Sequence, residues 1–222
     1  IEQSIEGISV ACKALDTPVI GGNVSLSNET NGEAIYPTPI IGMVGVVEER
    51  AQVTNKTFKQ AGDLIYLCGT TYPEFGGSEL QKMLEGEISG RPPQLELDVE
   101  KKLQGQVADA IQAGIIQSAH DLSEGGLAVA LTECLVDGEF GANIELGEDL
   151  VSELFSESQS RFLLSVRPEH KEAFERLVEA TLLGKVSNEP VLRISDPRGE
   201  VLSLELEQLV QAWKGAIPCL LS

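Results

Sequence analysis

The chain has 222 residues, enough for one large domain or for one domain and part of a second. Its 42% hydrophobic and 23% charged content is that of an ordinary globular protein. A formal net charge of −19 argues against a nucleic-acid or anionic-membrane partner, although a nest of backbone N–H groups can still hold phosphate on an acidic protein.

Taken in chain order, Ile1, Ile5, Ile8, Cys12 and Leu15 recur at helical spacing and predict a first helix ending at Asp16-Thr17-Pro18. No capping residue precedes that stripe, so the helix reads as one cut from a longer chain. VIGGNVSLSNE reads as a strand entering a turn at Asn31-Gly32, and IIGMVGVVEE as a near-continuous apolar strand. Residues 1–52 thus amount to a helix and two strands, too little to enclose a core alone.

The polar run VTNKTFKQAGD leads to a second unit, residues 53–222. Its expected elements are the strand LIYLCG, a helix from Ser78, a longer helix over VEKKLQGQVADAIQAG and the strand IIQSAH. They continue with a helix through LAVALTECLV, the strand RFLLSV and a helix through PEHKEAFERLVEA. The hairpin VLRIS-DPRG-EVLSLEL then precedes a last helix containing Leu209 and Trp213. Strands alternating with helices, plus one hairpin, predict an α/β chain of the α+β type with a mixed sheet and packed helices.

Cys12, Cys68, Cys134 and Cys219 are widely spaced in apolar surroundings, which predicts buried reduced thiols rather than disulfides or zinc ligands. No signal peptide or membrane-length apolar run is visible, so a cytoplasmic location without membrane contact is the expectation.

Two segments could carry chemistry. If Gly21 to Ser27 form a strand, Asn23, Ser25 and Ser27 share one face, offering neutral oxygens suited to magnesium, phosphate or hydroxyl groups. Paired glycines in a strand mark the close approach of a ligand or another backbone; a half-solvated strand with a bulge explains them equally well. In AHDLSEGG a predicted strand gives way to a helix, a junction whose free N–H groups can receive phosphate. Asp121 could hold a divalent cation there, but Asp121 or Ser123 acting as an N-cap, with His120 structural, is the commoner arrangement. FGGSE reads as a turn with Ser78 near a helix cap, and Arg161 as one half of an internal salt bridge. Neither a Walker P-loop nor a GxGxxG run occurs, nor a G-x-S-x-G or a histidine-rich metal pattern.

In order, TPVIGGNVSLSNE, YPTPIIGMVG, GDLIYLCG, FGGSEL, AHDLSEGGLAVALTE and SESQSRFLLSV span nearly the whole chain. The set resembles the C-terminal region of the phosphoribosylformylglycinamidine synthase large subunit in its smaller, multi-subunit form, within the aminoimidazole ribonucleotide synthetase superfamily. The resemblance implies an ATP-dependent carbon–nitrogen ligase of purine biosynthesis acting on formylglycinamide ribonucleotide with glutamine-derived ammonia. It further implies that Gly22 contacts nucleotide, Asn23 binds magnesium and Ser25 contacts substrate. Asp121 and Ser123 would belong to an auxiliary metal–nucleotide site.

The family's catalytic histidine and further magnesium-binding acids lie in its N-terminal half, so no catalytic residue is assigned here and the fragment alone is expected to be inactive. A separate glutaminase and a small bridging subunit would be the partners. Residues 1–52 would close a nucleotide-binding α/β domain, and residues 53–222 would form the α/β domain that follows it. Two rivals stand beside this reading. One is another ATP-dependent enzyme of the superfamily; the other is a non-catalytic half that binds an auxiliary nucleotide and docks partner subunits.

Overall fold

The computed structural model describes residues 2–25, 29–35 and 38–221, with side chains described through 216. The chain divides into two units, Ile1–Arg50 and Ala51–Ser222.

In the first unit, α1 (Glu2–Ala14) forms where the apolar stripe predicts a helix, but none of its residues is buried. It ends with Asp16 at φ 55 and with Thr17 N–H donating to the Cys12 carbonyl at 2.9 Å, ahead of Pro18. Asn31 and Gly32 adopt φ 55 and 83 and join the two-residue strands β1 (Glu29–Thr30) and β2 (Glu33–Ala34). The turn is the expected one; the long strands are not. Residues 18–25 and 38–47 carry no regular structure, and Ile40, Val44 and Val46 are about nine-tenths exposed or more. An apolar strand is held by the ladder of a neighbour, and among the described residues of this unit only β1 and β2 pair. Ser27 lies outside the described residues.

The second unit is built on one seven-stranded sheet. Its strands are β3 (Leu64–Cys68), β4 (Ile116–Asp121), β5 (Gly141–Glu145), β6 (Phe162–Val166), β7 (Ala180–Ser187), β8 (Val191–Asp196) and β9 (Gly199–Glu205). They lie in the order β4-β6-β3-β7-β5-β8-β9, and only the β5–β8 pairing is parallel. The sheet is therefore mixed, as the alternation of elements predicted. β3 is central and buried along its whole length, so its apolar run serves both faces.

Ile65 and Leu67 point into one core, shared with α4 (Gly126–Leu135), α5 (Leu150–Phe155) and Leu209 of α7 (Leu206–Leu221). Leu64, Tyr66 and Cys68 point into the other, shared with α3 (Leu97–Gln112) and α6 (Lys171–Leu177). The remaining helix, α2 (Glu79–Glu85), is capped by Ser78, whose hydroxyl accepts from Gln81 N–H. Cys68 and Cys134 are buried free thiols and Cys12 a half-buried one. Among the described residues no helix is long and apolar enough to cross a membrane.

Candidate functional site

In the first unit Gly21, Gly22, Asn23 and Ser25 are all exposed. Without a strand there, no common face for Asn23 and Ser25 is formed. A Cβ added at Gly21 or Gly22 would meet nothing within 4 Å, and neither glycine has a positive φ. Neither crowding nor backbone geometry within the described residues therefore calls for glycine at these positions.

The junction between β4 and α4 is better formed. β4 carries Asp121 to the sheet edge, its backbone aligned with Phe162 of β6. The chain then turns through Ser123 and Glu124 to Gly125, the N-cap of α4, at φ 79. Neither Asp121 nor Ser123 caps the helix. Ser123 instead donates its hydroxyl to Glu124 and holds that carboxyl below its usual range. The Asp121 side chain is 70% exposed.

Three of the junction's N–H groups are already taken within the chain. Leu122 N–H donates to the Arg161 carbonyl and Gly126 N–H to the Ser123 carbonyl. Gly125 N–H donates to Glu157 Oε1 at 2.8 Å, and the same oxygen accepts Glu79 N–H at 2.9 Å at the start of α2. The chain's own carboxylate thus occupies the place a phosphate would take. A phosphate cannot use the Gly125 amide unless Glu157 leaves it.

Glu157 belongs to a loop fastened by Arg161. That guanidinium is 2% exposed and forms no ion pair among the described residues, contrary to the expected salt bridge. It donates to the carbonyls of Ser158 and Ser156 and to the Thr71 hydroxyl. Burial brings its pKa down to about 10, against the opposing fields of Glu74 and Glu157. The segment 72–76 that it braces borders an open cleft of about 780 Å³, which also includes Leu80, Leu84, Arg91 and Val151.

A polar chain runs behind Asp121. His120 Nε2 lies 2.8 Å from Glu133 Oε2, and Lys56 Nζ lies 3.0 Å from the other Glu133 oxygen. Nδ1 of the same imidazole stands 3.4 Å from Asp121 Oδ1. Lys56 in turn sits 5.9 Å from the centroid of the Trp213 ring. Burial pushes the Glu133 carboxyl up, but the bonds from His120 and Lys56 outweigh it and leave the group below its usual range. Glu133 and Lys56 escape sequence reading because they are 13 and 64 residues from His120. The only trace of Glu133 is a charged residue on the otherwise apolar helix LAVALTECLV.

No group of three or more His, Cys, Asp or Glu side chains that could hold a metal ion occurs among the described residues. Asp121 offers a single accessible carboxylate. That donor fits magnesium only as one ligand beside phosphate oxygens and waters.

A seven-stranded mixed sheet with helices on both faces and a strand-to-helix loop at its edge defines the second unit as an α+β domain. The family model for the AIR synthase related protein C-terminal domain matches residues 60–196, and that for the N-terminal domain matches residues 1–47. The chain belongs to the AIR synthase related protein family.

Among solved structures it resembles Thermotoga maritima PurL complexed with FGAR, with a TM-score of 0.63 and 20% identity over 72% of this chain and 30% of that one. The PurLQS structure from the same organism gives a TM-score of 0.61 at 20% identity, over 72% of this chain and 28% of that one. E. coli HypE, a hydrogenase maturation protein, gives 0.51 at 15% identity, over 69% of this chain and 52% of that one. At these identities the likeness establishes the fold. The chain spans under a third of the PurL chains.

Proposed function

We propose that the chain is the C-terminal part of an ATP-dependent formylglycinamidine ribonucleotide synthase. The observation that carries the proposal is the ordered pair of AIR synthase related domains on a fold that PurL shares. Support for the ligands comes from that neighbour, which has been solved with FGAR, and in other crystals with ATP and with AMPPCP.

In this reading ATP phosphorylates the amide oxygen of formylglycinamide ribonucleotide, and ammonia then displaces phosphate from the iminophosphate carbon. Magnesium, when bound, neutralises charge on the phosphates. The chain's own residues bind and orient. Gly22 leaves its backbone open to nucleotide, the Asn23 side-chain oxygen is offered to the cation, and the Ser25 hydroxyl is offered to substrate. Asp121 and Ser123 form an auxiliary metal–nucleotide site, with Glu157 holding the neighbouring amide when no phosphate is present.

Residues 1–52 would close the nucleotide-binding domain that precedes residues 53–222. The ammonia would come from a separate glutaminase, docked through a small bridging subunit, in the cytoplasm.

Turnover of formylglycinamide ribonucleotide by the complete enzyme, with ATP, magnesium and an ammonium salt, tests the proposal. Asn23→Ala is expected to lower kcat by about 100-fold or more, because catalysis of this kind rests on positioning and charge stabilisation. Its melting temperature should stay close to that of the parent, since the side chain is exposed. Near-normal turnover at ordinary magnesium concentration would rule out the role of Asn23, and an enzyme that ignores formylglycinamide ribonucleotide would rule out the function.

A further inference from the structure

We propose that the cleft beside α2 is a docking groove for a basic amphipathic helix of a partner protein, an inference independent of the activity proposed above. The groove is bounded by segment 73–76, by α2 and the loop that follows it, and by Val151 of α5. Phe75, Leu80, Leu84, Pro92 and Val151 give it apolar walls, and Leu84 and Val151 are 72% and 55% exposed. Met83 and Ile88, on the same helix and loop, are exposed as well. Large apolar side chains gathered at the surface in this way mark a contact site.

Polar ties hold the groove in shape. α2 is seven residues long and buries none of them, so neither its length nor its packing accounts for it. Its ends do. Ser78 caps it, Glu157 Oε1 accepts Glu79 N–H, and Gly86 closes it at φ 75 with its N–H on the Lys82 carbonyl. Gln81 Oε1 accepts the N–H groups of Gly77 and Ser89, and Glu74 Oε1 accepts that of Gln94, which folds the following loop back onto segment 74–77. Gly76 lets the two backbones meet, since a Cβ there would lie 2.0 Å from the Arg91 carbonyl oxygen. A helix anchored at its polar ends keeps Leu80 and Leu84 beside a space that no described residue fills.

Two features select the occupant. None of the residues lining the groove belongs to a strand, so an extended peptide finds no ladder to join; a helix satisfies its own backbone and needs only side-chain contact. The rim, moreover, is acidic. Residues 72–96 carry Glu74, Glu79, Glu85, Glu87 and Glu96 against Lys82 and Arg91, and Lys82 already pairs with Glu79. Lysine or arginine flanking an apolar stripe complements that rim, and the net charge of −19 steers such a partner toward the chain. A second copy would set the same carboxylates against one another, which disfavours self-association here.

The test uses the complete protein and a fluorescein-labelled amphipathic helix of leucine and lysine, about 15 residues long, titrated by anisotropy. A counterpart with glutamate in place of lysine controls for charge, and should bind about tenfold more weakly or less well still. Leu84→Ser and Val151→Ser should each weaken binding of the leucine–lysine helix by about tenfold, yet melt with the parent because both side chains are exposed. Leu182→Ser, at an exposed apolar position on β7, should bind as the parent does. Glu85→Lys together with Glu87→Lys should reverse the preference between the two peptides.

The proposal is overturned if neither peptide binds the parent, if the Leu84 and Val151 variants bind unchanged, or if the charge reversal leaves the preference as it was. Sedimentation showing a parent dimer that Leu84→Ser dissociates would overturn it as well, since a second copy would then fill the groove.

Discussion

Glu157 Oε1 accepts the backbone N–H of Gly125 at 2.8 Å, across 32 residues of sequence, and ties the loop before β6 to the first turn of α4. Because the same oxygen also accepts Glu79 N–H, one carboxylate steadies the starts of two helices. Glu157→Ala should therefore lower stability by about 2 kcal/mol, the worth of a pair of hydrogen bonds to a charged group less their exposure. Glu157→Gln, which retains a neutral acceptor, should lose roughly half of that. Urea midpoints on the two variants check the order; equal loss in both would show that the charge contributes nothing.

Two glycines should respond to alanine in opposite directions. Gly126 has φ 64, and a Cβ there would sit 2.5 Å from the Ser156 carbonyl oxygen and 2.8 Å from that of Leu154. Gly126→Ala must displace backbone as well as bear the left-handed strain, so a loss of about 3 kcal/mol or more is expected. Gly105 lies inside α3 with open space around it, and alanine there should stabilise by about 0.5–1 kcal/mol. Thermal melts of both variants settle the comparison.

The pH dependence of stability should carry the mark of Asp63. This residue is fully buried at the head of β3, and neither carboxylate oxygen has a hydrogen-bond partner among the described residues. Burial raises its pKa above 3.8, with Arg167 opposing the shift and Glu169 adding to it. The folded chain then holds this proton more tightly than the unfolded chain does. The stability contributed by protonated Asp63 is full below the unfolded value and is lost as pH rises through the folded one. Asp63→Asn, which cannot ionise, should match the parent near pH 3 and become the more stable of the two by pH 7. Urea unfolding at a series of pH values measures the gap; a gap that does not widen with pH contradicts the account.

Arg161→Lys should be costly although it keeps the charge. The guanidinium reaches two carbonyls and a hydroxyl in different directions, which an ammonium on a flexible stem cannot reproduce. A loss of about 2–4 kcal/mol is expected, with the 72–76 segment loosened first. Amide hydrogen exchange should show faster opening at Tyr72 and Glu74, whose N–H groups bond to Ser158 and Ser156 of the same loop. Unchanged exchange at those two amides would mean that Arg161 does not hold the loop.

Elements set by local chemistry were legible in the sequence, and those set by neighbours were not. Ser78 caps α2, Asn31-Gly32 makes its turn, and VLRIS and EVLSLEL pair as β8 and β9, because a cap, a turn and a hairpin are each decided within a few residues. β5 and β7 escaped the reading because GANIE is short and opens on a glycine, while TLLGKVS is interrupted by Gly184. Gly184 proves to be required by the fold, since a Cβ there would lie 1.9 Å from the Asn143 carbonyl oxygen of the next strand. The apolar run at 40–49 erred the other way: its composition suits a strand, but a strand exists only where another backbone accepts its hydrogen bonds, and the described residues of the first unit supply none there. At the candidate site, Asp121 and Ser123 stood out through their place before a glycine-rich helix start. That Glu157 fills the adjoining amide, and that Glu133 and Lys56 stand behind His120, was decided by the tertiary structure alone. Hydrogen bonds between side chains brought together by sheet order leave no periodicity or spacing in the chain from which to read them.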